Sequence, residues 1–146
     1  MRLFVLLACL VLTCSGYGNM VGAPREIPPE EDTFKTLGQE LQRVTHKFNR
    51  EQGLQNLHVV TKVLNATSQV VAGTKYTLFV EFSPTSCNTA TSNDFLAVDT
   101  ALFSADSCTV LGGESKVCKV TIWQRPWLGP DQSEIINIVD CSTKLT

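Results

Sequence analysis

An α+β fold, one long α-helix packed across a four- to five-stranded antiparallel β-sheet, follows from three observations on the sequence. Phe34, Leu37, Leu41, Val44 and Phe48 recur at steps of three and four, which places them on one stripe of a helix. From Leu57 onward the apolar period shortens to two, the spacing of half-buried strands. Between two such runs lies the small-residue stretch Gln69-Val70-Val71-Ala72-Gly73, as expected of a hairpin connection. A helix followed by consecutive strands packs as a helix layer on one sheet, with the stripe and one sheet face forming the core.

In chain order, the first element is a leader rather than part of the fold. Arg2, an apolar run from Leu3 to Leu12 and the small residues Ser15, Gly16 and Gly18 have the layout of a secretory signal peptide, and the run is too short to span a bilayer. Residues 1–18 are therefore read as a signal peptide, cleaved after Gly16 or Gly18, and residues 19–146 as one domain. No later stretch is long and apolar enough to cross a membrane as a helix, so the expected product is soluble, secreted and extracellular. Removing 16 residues leaves 130, enough for one domain with a modest core. Arg2 is the only charge lost, so 11 basic residues remain against 14 acidic ones and the net charge becomes −3. That balance gives no electrostatic case for binding nucleic acid or an anionic membrane.

Cys9 and Cys14 leave with the leader. Cys87, Cys108, Cys118 and Cys141 remain, an even set that in an exported chain favours two disulfides. Four cysteines allow three pairings, and the residues themselves do not choose among them. Zinc is disfavoured, because close Cys-x-x-Cys spacing is absent and both histidines lie far upstream.

Residues 19–29 are interrupted by Gly22, Pro24, Pro28 and Pro29 and read as extended. Pro28 and Pro29 suit a helix start, and Glu30, Glu31 and Asp32 suit the positive end of its dipole. The helix closes near Gly53, and Gly38 within it is read as permitting close approach to the sheet. Strands are predicted over 57–68, 74–82, 116–124 and 134–141. A polar segment, with a weak apolar patch at 95–102, is predicted over 83–109. There is no internal repeat.

No catalytic set is legible. Cysteine catalysis needs a free thiolate beside a base, and all four cysteines are better used as disulfides. His46 falls on the polar side of the helix and His58 stands singly in a strand; both read as ordinary solvated or structural residues. No phosphate-cradling glycine loop and no metal spacing occur, and no cofactor is expected. What stands out is apolar residues where loops belong: Met20-Val21-Gly22, the Val70-Val71-Ala72 tip, and Pro126-Trp127 between the last two strands. The valines alternatively finish the incoming strand, and Trp127 alternatively belongs to the core. Hairpin loops on alternate connections of an antiparallel sheet fall at the same end, and an N-terminal segment paired to the sheet brings its start there too. Three apolar elements on one rim make a narrow wedge, and tryptophan is the residue type most enriched at binding hot spots.

An N-terminal glycine (Gly22), a Gln-x-Val-x-Gly loop (Gln69, Val70, Val71, Ala72, Gly73) and a Pro-Trp pair (Pro126, Trp127) occur in that order, with the helix between the first two and four cysteines after Gly73. In this the chain resembles the secreted two-disulfide (type 2) cystatins, tight-binding inhibitors of papain-like cysteine proteases, over residues 20–141. The resemblance implies a cystatin-like fold and a wedge that plugs a protease cleft. Met20 and Val21 are expected to enter substrate pockets, Gly22 to turn the chain away from the catalytic centre, residues 70–73 to lie across the cleft, and Trp127, fixed by Pro126, to pack on the primed side. It also implies the pairings Cys87–Cys108 and Cys118–Cys141. The expected partner is a papain-like (cathepsin-class) protease, bound by a monomer. The site that some relatives use against asparaginyl endopeptidases is not carried over, since its place reads Gln52-Gly53-Leu54. The alternative is a cystatin-fold binding or carrier module that no longer inhibits; such a module is expected to have lost one of the three marks. Asn65-Ala66-Thr67 is a glycosylation sequon, about 13 Å along a strand from Gln69.

Overall fold

The computed structural model describes residues 22–27, 31–88 and 108–145. The leader, Met20, Val21, Pro28, Pro29, Glu30 and the 95–102 patch lie outside the described residues, as does the side chain of Phe34. The elements run β1 (Arg25–Glu26), α1 (Glu31–Thr36), α2 (Gly38–Gln52), β2 (Asn56–Val71), β3 (Gly73–Asn88), β4 (Glu114–Gln124) and β5 (Glu134–Leu145). All five strands join one sheet in sequence order, each antiparallel to the next. The expected helix on an antiparallel sheet is the observed architecture.

The apolar stripe does what its spacing predicts. Leu37, Leu41, Val44 and Phe48 are buried against Val60, Val63 and Ala66 of β2, Leu78, Val80 and Phe82 of β3, and Cys118, Val120 and Ile122 of β4. The rings of Phe48 and Phe82 stack with centroids 3.9 Å apart, an aromatic link between the layers. Burying each such side chain contributes roughly 1.5–3 kcal/mol. Asn49 fixes the junction between layers: its amide donates to the carbonyls of Thr45 (3.0 Å) and His58 (2.7 Å), and its oxygen accepts from the His58 N–H at 2.8 Å. His58 is itself buried; its Nδ1 donates to the Asn56 carbonyl at 2.9 Å, and desolvation holds its pKa below the ordinary value.

Three local expectations need correction. The helix is interrupted at Leu37, where φ is −116° and ψ 22°. Its hydrogen bonds nonetheless continue across, from Leu37 N–H to Thr33 O and from Leu41 N–H to Leu37 O, so the stripe stays in phase. Gly38 opens α2, and a Cβ there meets nothing within 4 Å; close approach to the sheet is not its role. The segment after Phe82 is not all polar connection, because β3 runs on to Asn88. Ser83 and Thr85 bond across to β2: Ser83 shares a 2.8 Å hydrogen bond with Thr61, and the fully buried Thr85 donates to Leu57 O at 2.8 Å. Hydroxyls that satisfy themselves on the neighbouring strand are compatible with burial, which a hydropathy pattern does not register.

Both disulfides have the implied pairing, Cys87–Cys108 and Cys118–Cys141. The second staples β4 to β5 beside a bulge in their register. The first ties the far end of β3 to the chain entering β4, where Thr85 and Val110 also form an isolated bridge.

Candidate functional site

Strand register carries the three singled-out segments to one edge. β2 and β3 pair to their very ends, Val71 opposite Gly73, leaving Ala72 alone at the turn. Thr74 of β3 pairs with Gln124 of β4, and Gln124 with Glu134 of β5. The tight β2–β3 turn and the loop 125–133 therefore leave the sheet side by side. On the other flank β1 pairs Arg25 with Ser68 and Glu26 with Thr67, so the chain before Arg25 runs antiparallel to β2 toward the same turn.

Close contacts seal these three segments together. The Gln69 side chain donates to the Gly22 carbonyl at 2.8 Å. Gly22 has φ +93°, and a Cβ placed on it lies 3.3 Å from the Val70 carbonyl oxygen. Gly73 is more constrained still. At φ +97°, a Cβ placed on it overlaps the Gln124 carbonyl oxygen and lies 3.2 Å from Cη2 of the Trp127 ring. Only glycine fits there without a backbone shift, since such a φ strains any L side chain. The tryptophan thus rests over a residue that has no side chain to lift it away.

A second tryptophan, which the sequence reading passed over, locks turn to loop. Trp123 Nε1 donates to the Ala72 carbonyl at 2.9 Å, and the Arg125 guanidinium stacks over the Trp123 ring at 4.3 Å. Its signal was present: Trp123 stands on the outward phase of a strand whose Val120 and Ile122 point to the core, where a tryptophan needs a reason.

The loop 125–133 is built from its own hydrogen bonds. Arg125 N–H donates to Ser133 O (2.6 Å), Leu128 N–H to Arg125 O (3.0 Å), and Gln132 and Ser133 N–H both to Gly129 O (2.9 Å). Arg125 Nη2 adds a bond to Gln132 O at 2.9 Å. At its base a polar clamp reaches the helix. Arg43 of α2 grips Glu134 through both carboxylate oxygens, at 2.6 and 2.8 Å, and Gln124 donates to Glu40 at 2.8 Å. Arg43 and Glu134 are 91 residues apart, so nothing in the local sequence announces the pair. Hydrogen bonding to Glu134 is the main cause that raises the Arg43 pKa, against a smaller desolvation effect.

The rim this framework presents is apolar. Val70 is 71% exposed and Trp127 61%; Ala72 and Pro126 are exposed and Val71 half-buried. Both readings of the valines hold together, since Val70 and Val71 finish β2 and Val70 is still open to solvent. Trp127 is not a core residue. Among the described residues no cluster of three His, Cys, Asp or Glu side chains is placed to hold a metal ion. A rigid ridge of exposed valine, alanine, proline and tryptophan can fill an apolar groove, and it offers no group for bond-breaking chemistry.

Comparison with known proteins agrees with this architecture. The Cystatin domain family matches residues 22–127. Cystatin-C of Paralichthys olivaceus is 30% identical over 131 residues, covering 90% of this chain and 94% of that protein. Cystatin cpi-1 of Brugia malayi is 31% identical over 108 residues, 70% of this chain and 78% of that protein. Among solved structures, Al-CPI superposes with a TM-score of 0.59 at 29% identity, over 84% of this chain and 100% of that one. The fold, the two disulfides and the match over residues 22–127 place the chain in the cystatin family, whose members are inhibitors of papain-like cysteine proteases and not enzymes.

Proposed function

We propose that this protein is a secreted, reversible, non-covalent, tight-binding inhibitor of papain-like cysteine proteases of the cathepsin class, acting as a monomer once its leader, residues 1–18, is removed. The reading rests on one observation: on a single sheet edge Gly22 is bonded to Gln69 at the entry to the turn, Ala72 is bonded to Trp123, and the Trp127 ring lies against Gly73. Met20 and Val21 enter the non-primed side of the target's cleft as a peptide does. Gly22 then carries the chain back along Val70 and Arg25 pairs with Ser68, so no peptide bond lies in line with the catalytic thiolate. The β2–β3 turn crosses the cleft, and Trp127, held by Pro126 and Gly73, packs on the primed side. Affinity comes from apolar surface already in its bound shape, which limits the ordering cost of association.

The test is titration of active papain with the refolded chain 19–146. Loss of activity in proportion to added chain, with midpoint below about 1 μM and the chain recovered uncleaved, is the expected result. Full papain activity at tens of times that concentration overturns the reading and leaves a cystatin-fold carrier.

A further inference from the structure

Asn65-Ala66-Thr67 is the single Asn-x-Ser/Thr sequence in the chain with a non-proline centre, and its place in the sheet gives it a use unconnected with the rim. Asn65 pairs with Phe79, while the flanking Val63, Ala66, Leu78 and Val80 are buried in the core. The Asn65 side chain therefore stands on the sheet face opposite the helix. It is exposed, and its amide makes no hydrogen bond among the described residues. A register shift between Val63 and Asn65 puts Leu64 in a bulge. Among the described residues the N-terminal pairing beside β2 ends with Ile27 N–H on Ala66 O. Around this amide the outer face carries exposed apolar side chains: Leu64 is 46% exposed, Phe79 40%, and Val139, one strand beyond Lys119 in the same row, 44%.

We infer that Asn65 carries an N-linked oligosaccharide on the open face of the sheet, lying over Phe79 and clear of the inhibitory rim. The inference rests on the proposed export of the chain, because the modification belongs to the secretory pathway. In the transfer the Asn65 amide nitrogen bonds to C1 of the first sugar of a lipid-linked diphospho-oligosaccharide. The C1–oxygen bond to the diphosphate breaks, the lipid diphosphate leaves, and one amide proton is lost. Ala66 is buried in the finished sheet and Thr67 is bonded to Thr77 O, so transfer precedes the pairing of β2 with β3. Once attached, the sugar projects across the sheet, whereas the rim points along the strands. Asn65 and Val70 are five residues apart, about 17 Å of strand. A glycan here covers apolar surface that a single sheet leaves to water without standing in a protease's way.

The experiment is secretion of the full chain, with its own leader, from cultured animal cells. Intact mass is measured before and after peptide N-glycosidase, and papain inhibition is assayed alongside. The inference requires secreted protein heavier by one oligosaccharide. The excess must be removed by the glycosidase, absent from Asn65→Gln and Thr67→Ala, and retained in Thr67→Ser. Papain affinity must be the same with and without the sugar. Secreted, inhibitory protein of unmodified mass overturns the glycan and leaves the inhibitor standing. Glycosylated protein that inhibits only after sugar removal overturns the placement clear of the rim. Chain retained inside the cell at unmodified mass overturns export and glycan together, and inhibition by refolded chain is then judged separately.

Discussion

Trp127 and Gly73 act as a pair: the ring lies on the one residue that leaves it room, and more than half of it faces solvent. A truncation at Trp127 therefore removes exposed rim surface and little of the core. Trp127→Ala is expected to weaken papain binding by about 2 kcal/mol or more, through faster dissociation rather than slower association, while the unfolding midpoint stays put. Unchanged affinity in a surface-binding assay means the ring touches no target. Glu81 poses a different residue-scale question. Burial pushes its pKa up, but hydrogen bonds from Lys144 Nζ (3.1 Å) and Ser115 Oγ (2.9 Å) outweigh this and bring it below the ordinary 4.5. A carboxylate depressed in the folded state contributes stability that is complete above its unfolded pKa and is lost as pH falls through the folded one. Urea unfolding of wild type and Glu81→Gln should show a difference that is constant above about pH 5.5 and shrinks below 4.5. A difference independent of pH across that range refutes the pairing.

Elements differ in how well the sequence announced them. The helix and all four long strands follow from period, because burial on one face leaves a mark in every turn or every second residue. Their ends follow poorly. Asn56 and Thr85 belong to strands through amide and hydroxyl bonds to neighbouring backbone, and Ser83 through a bond to the Thr61 hydroxyl; polar residues of this kind read as loop. The break at Leu37 was equally hidden, since it leaves the stripe in phase. Val70, Val71, Ala72 and Trp127 stood out because apolar tips violate the usual chemistry of turns, whereas Gly22, Gln69, Gly73 and Pro126 were legible as site candidates through the family resemblance that their order carries. Their supports were not. Arg43 and Glu40 of the helix meet Gln124 and Glu134 of the sheet only after the helix has docked, across separations of up to 91 residues. That clamp bonds to both residues flanking the second loop. Arg43→Ala should lower unfolding free energy by about 1 kcal/mol, the scale of a well-aligned bidentate pair that is partly exposed. The loss should shrink as salt is raised. A loss that salt leaves untouched points instead to packing of the arginine stem.

For the whole molecule, the division of labour runs along the strands. Helix, inner sheet face and disulfides occupy the body, and each disulfide closes a loop of the size that typically stabilises by about 3 kcal/mol. The proposed mode of inhibition needs that rigidity, because a ridge ordered before binding loses little freedom on association. The small net charge fits a surface that acts by shape rather than by long-range attraction. The outer sheet face, where Asn65 stands, is left for other uses.

Amide hydrogen exchange of the chain alone and in complex with papain tests the central claim most directly. Slowed exchange confined to residues 22–24, 70–74 and 124–128, with α2 and the Cys141 end of β5 unchanged, is the expected pattern. Protection over α2 or the outer sheet face, with the three rim segments exchanging as freely as before, contradicts it.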